Sequence, residues 1–348
     1  MVSGIFFVTK SGTTQAYDCF GVSIIIPSNH CHADLIKVTL QVCEQSVTPA
    51  EIVIVDSSRE KGRCPQQIAD RCSELAVELI YEMVDQALPG HARNLGMTRA
   101  SSKYIGFLDV KTIPSKHWIK NAKRQLEDPS VSGVWGFTTF EAKSGFEELI
   151  RDGFFGRNPR RTLPGSIFNK EVIPVIGTLI AWARAGEDTD WIQRIDLSKI
   201  KFLYPQKRTL SYTGLLGQDA KTLAKKWARN YSSSRTLPHL FPHRIIAWMA
   251  FYFLIILLAL SWNNLIAGWN TQSITYLPNI TKLATTIPLL SYLITRGTIV
   301  PYQRGVPVAA LFPTRWLSIA LVCLIGDATK AIMLLSPKFR KKTGYAVD

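Results

Sequence analysis

Acidic residues are scarce in this chain of 348 residues. Only 26 Asp and Glu stand against 41 Lys and Arg, for a formal net charge of +15. Such an excess suits a polyanionic partner, and nucleic acid is the first class to test. The basic residues do not form one stripe with interleaved aromatics, however. They gather beside apolar segments, with Lys221, Lys225, Lys226, Arg229, Arg235 and Arg244 before the first and Lys338, Arg340, Lys341 and Lys342 after the last. Anionic lipid headgroups and the positive-inside bias select that placement, which points to membrane lipids as partners and to no nucleic acid. Cysteine is also sparse in useful patterns. The six thiols form no CxxC pair, and His30-Cys31-His32 has no second ligand cluster at a suitable spacing. This argues against a zinc site and leaves free thiols in a reducing cytoplasm as the expectation. The apolar run Ile5–Val8 is far too short for the core of a secretory signal. Internal repeats and low-complexity segments are lacking as well.

Charge of either sign is missing from Ile245 to Thr281, where no Asp, Glu, Lys or Arg occurs. Within that stretch Ile245–Trp262 is almost wholly apolar and aromatic, and a membrane-crossing helix needs about 20 such residues with Trp or Tyr favoured at its ends. Two more apolar stretches follow: a weaker Ile280–Thr295, containing Lys282 and Pro288, and Trp316–Leu335, containing Asp327 and Lys330. The expectation is an integral protein of the cytoplasmic (inner) membrane with helices near 245–264, 280–296 and 315–335. Arg296, Arg304 and Arg315 place the intervening loop on the cytoplasmic side. Two crossings, with the third stretch interfacial or re-entrant, satisfy the charge bias best. A third full crossing would carry the Lys338–Lys342 cluster outside.

The remainder reads as an α/β domain. Val22–Pro27, Glu51–Asp56, Val77–Val84 and Tyr104–Asp109 are short apolar strands, and Ala33–Gln45, Pro89–Ala100 and Ser115–Leu126 are helical. Near-continuous apolar strands alternating with helices predict a doubly wound, mostly parallel sheet covered on both faces. Ligands of such sheets bind at the carboxyl ends of the strands, where Ser28, Asn29 and His30, then Asp56, Ser57 and Ser58, then Asp109 fall. Residues 141–210 look less regular and include a basic Gly/Pro-rich loop, Arg157–Gly165. From Gly217 to Tyr231, Leu223, Trp227 and Tyr231 recur at i, i+4 and i+8 among basic residues, which suits a helix on a membrane surface. The expected organisation is an N-terminal extension (1–20), a catalytic domain (21–212), an amphipathic interface segment (213–243) and a membrane domain with a basic tail (244–348).

The chemistry-bearing residues are Asp109, at the end of an apolar strand, and the pair Glu187-Asp188 some 80 residues later. A strand-end acid followed by a carboxylate pair suits an enzyme that holds a nucleotide-activated group and deprotonates an attacking hydroxyl. Asp188 is the candidate general base and Glu187 would orient the acceptor or the base. Adjacent carboxylates raise one another's pKa, and both also suit a helix N-terminus. Asp56 could accept from a nucleotide base or simply close an Asx turn. Arg93 could reach phosphate as a bidentate donor or form a surface ion pair.

Five segments, in order, carry a resemblance: Val22-Ser23-Ile24-Ile25-Ile26-Pro27, Glu51-Ile52-Val53-Ile54-Val55-Asp56, Pro89-Gly90-His91-Ala92-Arg93-Asn94-Leu95-Gly96, Phe107-Leu108-Asp109 and Gly186-Glu187-Asp188. Over roughly residues 21–200 the chain resembles the family 2 inverting glycosyltransferases of GT-A fold, of the membrane-anchored bacterial type. The resemblance implies a nucleotide-diphosphate sugar as donor, a lipid-linked or cell-surface glycan as acceptor, and a cytoplasmic catalytic domain. It implies donor contacts at Pro27, Asn29, Asp56, Arg93, Asp109 and Lys111, and it matches Leu163-Pro164-Gly165-Ser166, with Pro164 and Gly165, to an acceptor-side loop. By spacing, Trp191 and Arg194, at i+3 and i+6 from Asp188, would line the acceptor groove. Two departures matter. Asn29-His30 stands where the family often has Tyr-Asn, and Asp109-Val110-Lys111 replaces the usual Asp-x-Asp. Either Asp109 alone holds Mg or Mn with phosphate oxygens, or Lys111 supplies positive charge directly. The alternatives to this activity are transfer to a polyprenyl phosphate and a non-catalytic sugar-nucleotide-binding membrane subunit. No Gln-x-x-Arg-Trp motif is present, which argues against a processive cellulose-like synthase.

Overall fold

The computed structural model describes residues 19–29, 32–58, 63–217, 219–234, 237 and 243–335. Expectations for residues 1–18, His30, Cys31, Arg235 and the tail Lys338–Lys342 lie outside the described residues. The chain divides into two compact units. One comprises residues 1–141, 159–216 and 341–348, and the other 142–158 and 217–340.

The first unit is built on a nine-stranded sheet. Its parallel half comprises β1 (Cys19–Ser28), β2 (Thr48–Asp56), β3 (Glu78–Met83) and β4 (Tyr104–Phe107). β1 pairs in parallel with β2 and β4, and β2 with β3, in spatial order β3-β2-β1-β4. Val22, Ile24, Ile25, Ile26 and Ile52 to Val55 have essentially no exposed surface. Each such side chain contributes roughly 1.5–3 kcal/mol of burial free energy, which is why continuous Ile/Val runs specify these strands. The connections are α1 (His32–Cys43), α2 (Gln66–Glu74) and α3 (Pro89–Arg99). The pattern predicts α1 and α3 but not α2, whose polar sequence QQIADRCSE offers only Ile68 and Cys72 to the core. α3 starts at Pro89, whose fixed φ and missing N–H cost nothing in a first helical turn.

The other half of the sheet contradicts the expectation of irregular structure. β5 (Thr112–Pro114), β6 (Gly133–Phe140), β7 (Arg160–Asn169), β8 (Phe202–Leu203) and β9 (Leu210–Tyr212) extend the order as β4-β7-β6-β9-β5, with β8 also on β6. The pairings β4·β7, β6·β7 and β5·β9 are antiparallel. α4 (Trp118–Leu126), α6 (Val172–Ile176) and α7 (Glu187–Ser198) complete the unit. The stretch read as a Gly/Pro-rich loop is largely β7. Pro164 and Gly165 lie within this strand and are buried, and the Gly165 carbonyl accepts from the Trp118 indole N–H at 2.8 Å. They therefore form no acceptor-side loop.

The second unit is helical. It takes the segment between β6 and β7, α5 (Gly145–Ile150) and a π-helical turn to Phe155, together with α8 (Ala220–Ser234), α9 (His243–Leu265), α10 (Ile280–Ile294), α11 (Val300–Gln303) and α12 (Arg315–Leu335). α10 continues through a second π turn, Thr295–Ile299, into α11, so the weaker apolar stretch becomes part of a 22-residue helical path, Lys282–Gln303. That path and Arg315–Met333 are the two helices long and apolar enough to cross a membrane among the described residues. In α9 the described side chains, such as Phe253 and Leu258, are mostly exposed.

Candidate functional site

The carboxyl ends of the parallel strands lie side by side. Ser28 is in register with Asp56 and Asp56 with Met83, while Leu108 N–H donates to the Ile25 carbonyl, so Asp109 follows on the same edge. At this edge Arg93, in the second turn of α3, joins two distant segments. Its Nη2 meets Asp109 Oδ1 at 2.7 Å and its Nη1 meets Glu187 Oε1 at 2.8 Å. The Arg93 side chain is only 5% exposed. Burial disfavours its charge, but the fields of Asp109, Glu187 and Asp188 outweigh that and raise its pKa. Both terminal nitrogens are thus committed to carboxylates. Arg93 is a buried bridge here rather than the phosphate-binding fork that the motif suggested.

α3 also holds the chain that delivers Glu187. Asn94 reads the backbone of Leu179 in both directions, its Nδ2 donating to the carbonyl at 2.7 Å and its Oδ1 accepting from the N–H at 2.9 Å. A Cβ on Gly90 would run into the Ile180 carbonyl and approach Glu187 Cγ. A side chain there would push α3 off that segment. α7 begins after Gly186, whose φ of 95° is natural only for glycine. Glu187 is buried. Desolvation raises its pKa, the Asp188 charge adds to the rise, and Arg93 opposes it.

Asp188, next on α7, is half-exposed. Its Oδ1 accepts from Thr189 N–H at 2.7 Å and from Thr189 Oγ1 at 3.3 Å, and Oδ2 has no hydrogen-bond partner among the described residues. Trp191 does not share this exposure. It is fully buried against Phe107 and Phe168 and donates to the Gly177 carbonyl at 3.0 Å, so it cannot line an acceptor groove. The apolar spacing Trp191, Ile192 and Ile195 was a legible sign of this core face. Arg194 is likewise committed, to Asp190 at 3.0 Å and to the carbonyls of Ile176 and Thr178. It staples the loop before α7 rather than presenting a free guanidinium.

At the end of β2, the second of the two readings of Asp56 is realised. Its carboxylate is fully buried and accepts from Ser58 N–H and Ser58 Oγ, both at 3.0 Å, and from Tyr81 O–H at 2.6 Å. Burial raises its pKa, but the Tyr81 and Ser58 hydrogen bonds and the nearby His32 prevail and hold it below the usual carboxylate value. Tyr81, absent from the sequence-level site, completes this turn. Pro27 is half-buried and Asn29 exposed beside it.

After Asp109 the chain turns tightly. Thr112 N–H and Oγ1 both donate to the Asp109 carbonyl, at 3.0 and 2.6 Å, and Thr213 N–H and Oγ1 donate to the Lys111 carbonyl, at 2.9 and 3.1 Å. Tyr212 on β9 lies near enough that burial, and then the Asp109 charge, push its phenol up to about 12. For a divalent ion the donor set is thin. No three His, Cys, Asp or Glu side chains converge among the described residues. Asp109 already gives one oxygen to Arg93, and Lys111 occupies the second position of the motif. These residues do not fit the two-carboxylate Mg or Mn site that Asp-x-Asp implies.

Residues 23–182 match the family described as Glycosyl transferase family 2. Similar solved structures include the mannosyltransferase PcManGT from Pyrobaculum calidifontis in complex with GDP-Man and Mn2+, at 16% identity over 89% of this chain and 86% of that one with a TM-score of 0.49. Another is S. aureus TarS 1–349 in complex with UDP-GlcNAc, at 11% identity over 90% of each chain with a TM-score of 0.43. No curated protein sequence matches the chain. The family match runs from β1 to the segment that Asn94 holds. On that match residues 23–182 form a Glycosyl transferase family 2 domain.

Proposed function

We propose that the chain transfers a sugar, with inversion, from a nucleotide-diphosphate sugar to a hydroxyl of a lipid-linked or cell-surface glycan at the cytoplasmic face of the inner membrane. The observation that carries this reading is the Arg93 bridge. It ties the strand-end Asp109, at the edge where a doubly wound sheet receives its ligand, to Glu187, the residue before Asp188. Asp188 keeps one carboxylate oxygen without a partner among the described residues and partial access to solvent, as a base must if it is to take a hydroxyl proton. The acceptor oxygen would attack the anomeric carbon as its proton passes to Asp188, and the bond to the diphosphate would break with its electron pair leaving on the phosphate oxygen. A phosphate acceptor would need no such base, and for that reason the polyprenyl-phosphate reading is less well supported. The apolar helices Lys282–Gln303 and Arg315–Met333 support work at a membrane.

Asp188→Asn should keep nucleotide binding and lose roughly 10²–10⁴-fold in transfer, the usual contribution of a general base. The assay would supply UDP- and GDP-sugars with a membrane lipid extract to the detergent-solubilised protein. Turnover in the variant near that of the unaltered protein would sink the assignment.

A further inference from the structure

Lys111 is left over by the site described above. Its backbone is pinned: it lies inside the Asp109–Thr112 turn, and Thr213 donates twice to its carbonyl. The residue is half-buried, yet its ammonium has no ion pair or hydrogen bond among the described residues. Its neighbour in the motif is the reverse case, since Asp109 is tied to Arg93 at 2.7 Å. Arg93 is shared between Asp109 and Glu187 and is buried, so its charge is already spent on carboxylates, whereas the Lys111 ammonium beside this strand end has no partner among the described residues. A divalent ion would have to bind through the remaining oxygen of one carboxylate, with the Lys111 ammonium two residues away in place of a second oxygen ligand.

We infer that Lys111 replaces the divalent ion, its ammonium binding the diphosphate of the donor and stabilising the negative charge that develops on it as the sugar leaves. The inference rests on the glycosyl-transfer reading above and specifies the donor end of that same site. Lys111 takes no part in the proton transfer to Asp188, and the electron pair of the breaking bond stays on the diphosphate, next to the ammonium. An ammonium acts here as a compact point charge with three donors. A preorganised donor at a developing anion contributes on the order of 10²–10³ in rate. The tight turn fixes where that charge can reach, and the missing internal partner means that no existing ion pair must be broken when the diphosphate arrives.

The test is equilibrium binding of UDP and of GDP to the full-length solubilised protein, in EDTA and in millimolar Mg²⁺ or Mn²⁺. For whichever nucleotide binds, affinity should differ by less than about threefold between the two conditions. Lys111→Ala should weaken it at least about tenfold in both, and Lys111→Arg should restore most of it. Lys111→Asp should bind poorly in EDTA and recover when the ion is added, because a second carboxylate creates the missing oxygen ligand. Thermal unfolding of each variant without ligand separates lost binding from lost folding, and the arginine variant keeps the test informative if the alanine variant is unstable. A tenfold or larger loss of affinity in EDTA, with Lys111→Ala binding as the unaltered protein does, overturns the inference and leaves the glycosyl-transfer reading standing. If neither the nucleotides nor their sugars bind under any condition, the donor reading itself falls, and the inference falls with it.

Discussion

The two units bury opposite things. In the sheet unit, Ile24, Ile26, Ile52 and Ile54 are sealed inside, and charge is drawn to the strand ends, where one guanidinium serves two carboxylates. In the helical unit, Phe253, Leu258 and Ile287 are exposed, while a carboxylate with no exposed surface, Asp152, lies under three guanidinium groups: Arg151 at 2.9 Å, and Arg157 and Arg315 at 3.0 Å. Burial would raise the pKa of Asp152, but the arginines lower it on balance. Exposed apolar surface on this scale marks an interaction surface for a membrane or another protein, while Asp152 and its three arginines are paired with one another. Small residues sit at close contacts in this unit. A Cβ on Gly297 would strike the Trp316 backbone, and one on Gly326 the ring of Phe154. The same residue types therefore do different work in the two units.

The largest effect should come from breaking the shared cation of the sheet unit. Arg93→Met leaves Asp109 and the buried Glu187 without their partner, and removing one member of a buried pair costs about 3–5 kcal/mol. The sign with pH follows from Glu187. Its pKa in the folded protein is already raised and would rise further without Arg93, so the folded state binds more protons than the unfolded one. Stability is then lost as the pH climbs above the unfolded value of about 4.3. Chemical denaturation should show a deficit that is milder at pH 5 than at pH 7.5, and an equal deficit at both would remove Glu187 from the explanation.

A paired substitution tests the contrast directly. Ile54→Ala in the sheet should cost about 2–5 kcal/mol, the usual toll of a core cavity. Leu258→Ala on the exposed face of α9 should change the stability of the solubilised protein by less than about 0.5 kcal/mol. Comparable losses at the two positions would mean that Leu258 is buried against protein after all. A smaller effect is expected at the closed turn of β2. Asp56→Asn should cost about 1.5–3 kcal/mol, the range for hydrogen bonds to a charged group. Because the folded pKa of Asp56 is depressed, its contribution is complete above the unfolded value of about 3.9 and disappears as the pH falls through the lower folded value. The difference between the two proteins should stay constant from about pH 5 to pH 7 and shrink in more acidic solution. A difference that grows on acidification would contradict that sign.

What could be read in the sequence was local. Continuous Ile/Val runs announced β1 and β2, Pro89 announced the start of α3, and the uncharged stretch after Arg244 announced apolar helices. Each of these signals lies within a dozen or so neighbouring residues, because burial on both faces, a helix start and an apolar surround leave marks in composition. β7 was missed because Pro164 and Gly165 interrupt it, and β5, β8 and β9 are too short to show a period. The i+3 spacing from Asp188 points Trp191 toward the acceptor side only if its apolar neighbours Ile192 and Ile195, which mark the core face, are left aside.

The sequence by itself determined that a parallel sheet would bring Asp56 and Asp109 to one edge, that Glu187 and Asp188 would open a helix, and that the later segments would be apolar. Only the tertiary structure decided which charges meet. Arg93 reaches Asp109 across 16 residues and Glu187 across 94, and no local propensity encodes either distance. The pairing exists because Gly90 and Asn94 bring α3 against the segment before α7. There the burial of one guanidinium between two carboxylates fixes which acids are held, while Asp188 Oδ2 and the Lys111 ammonium keep no partner among the described residues.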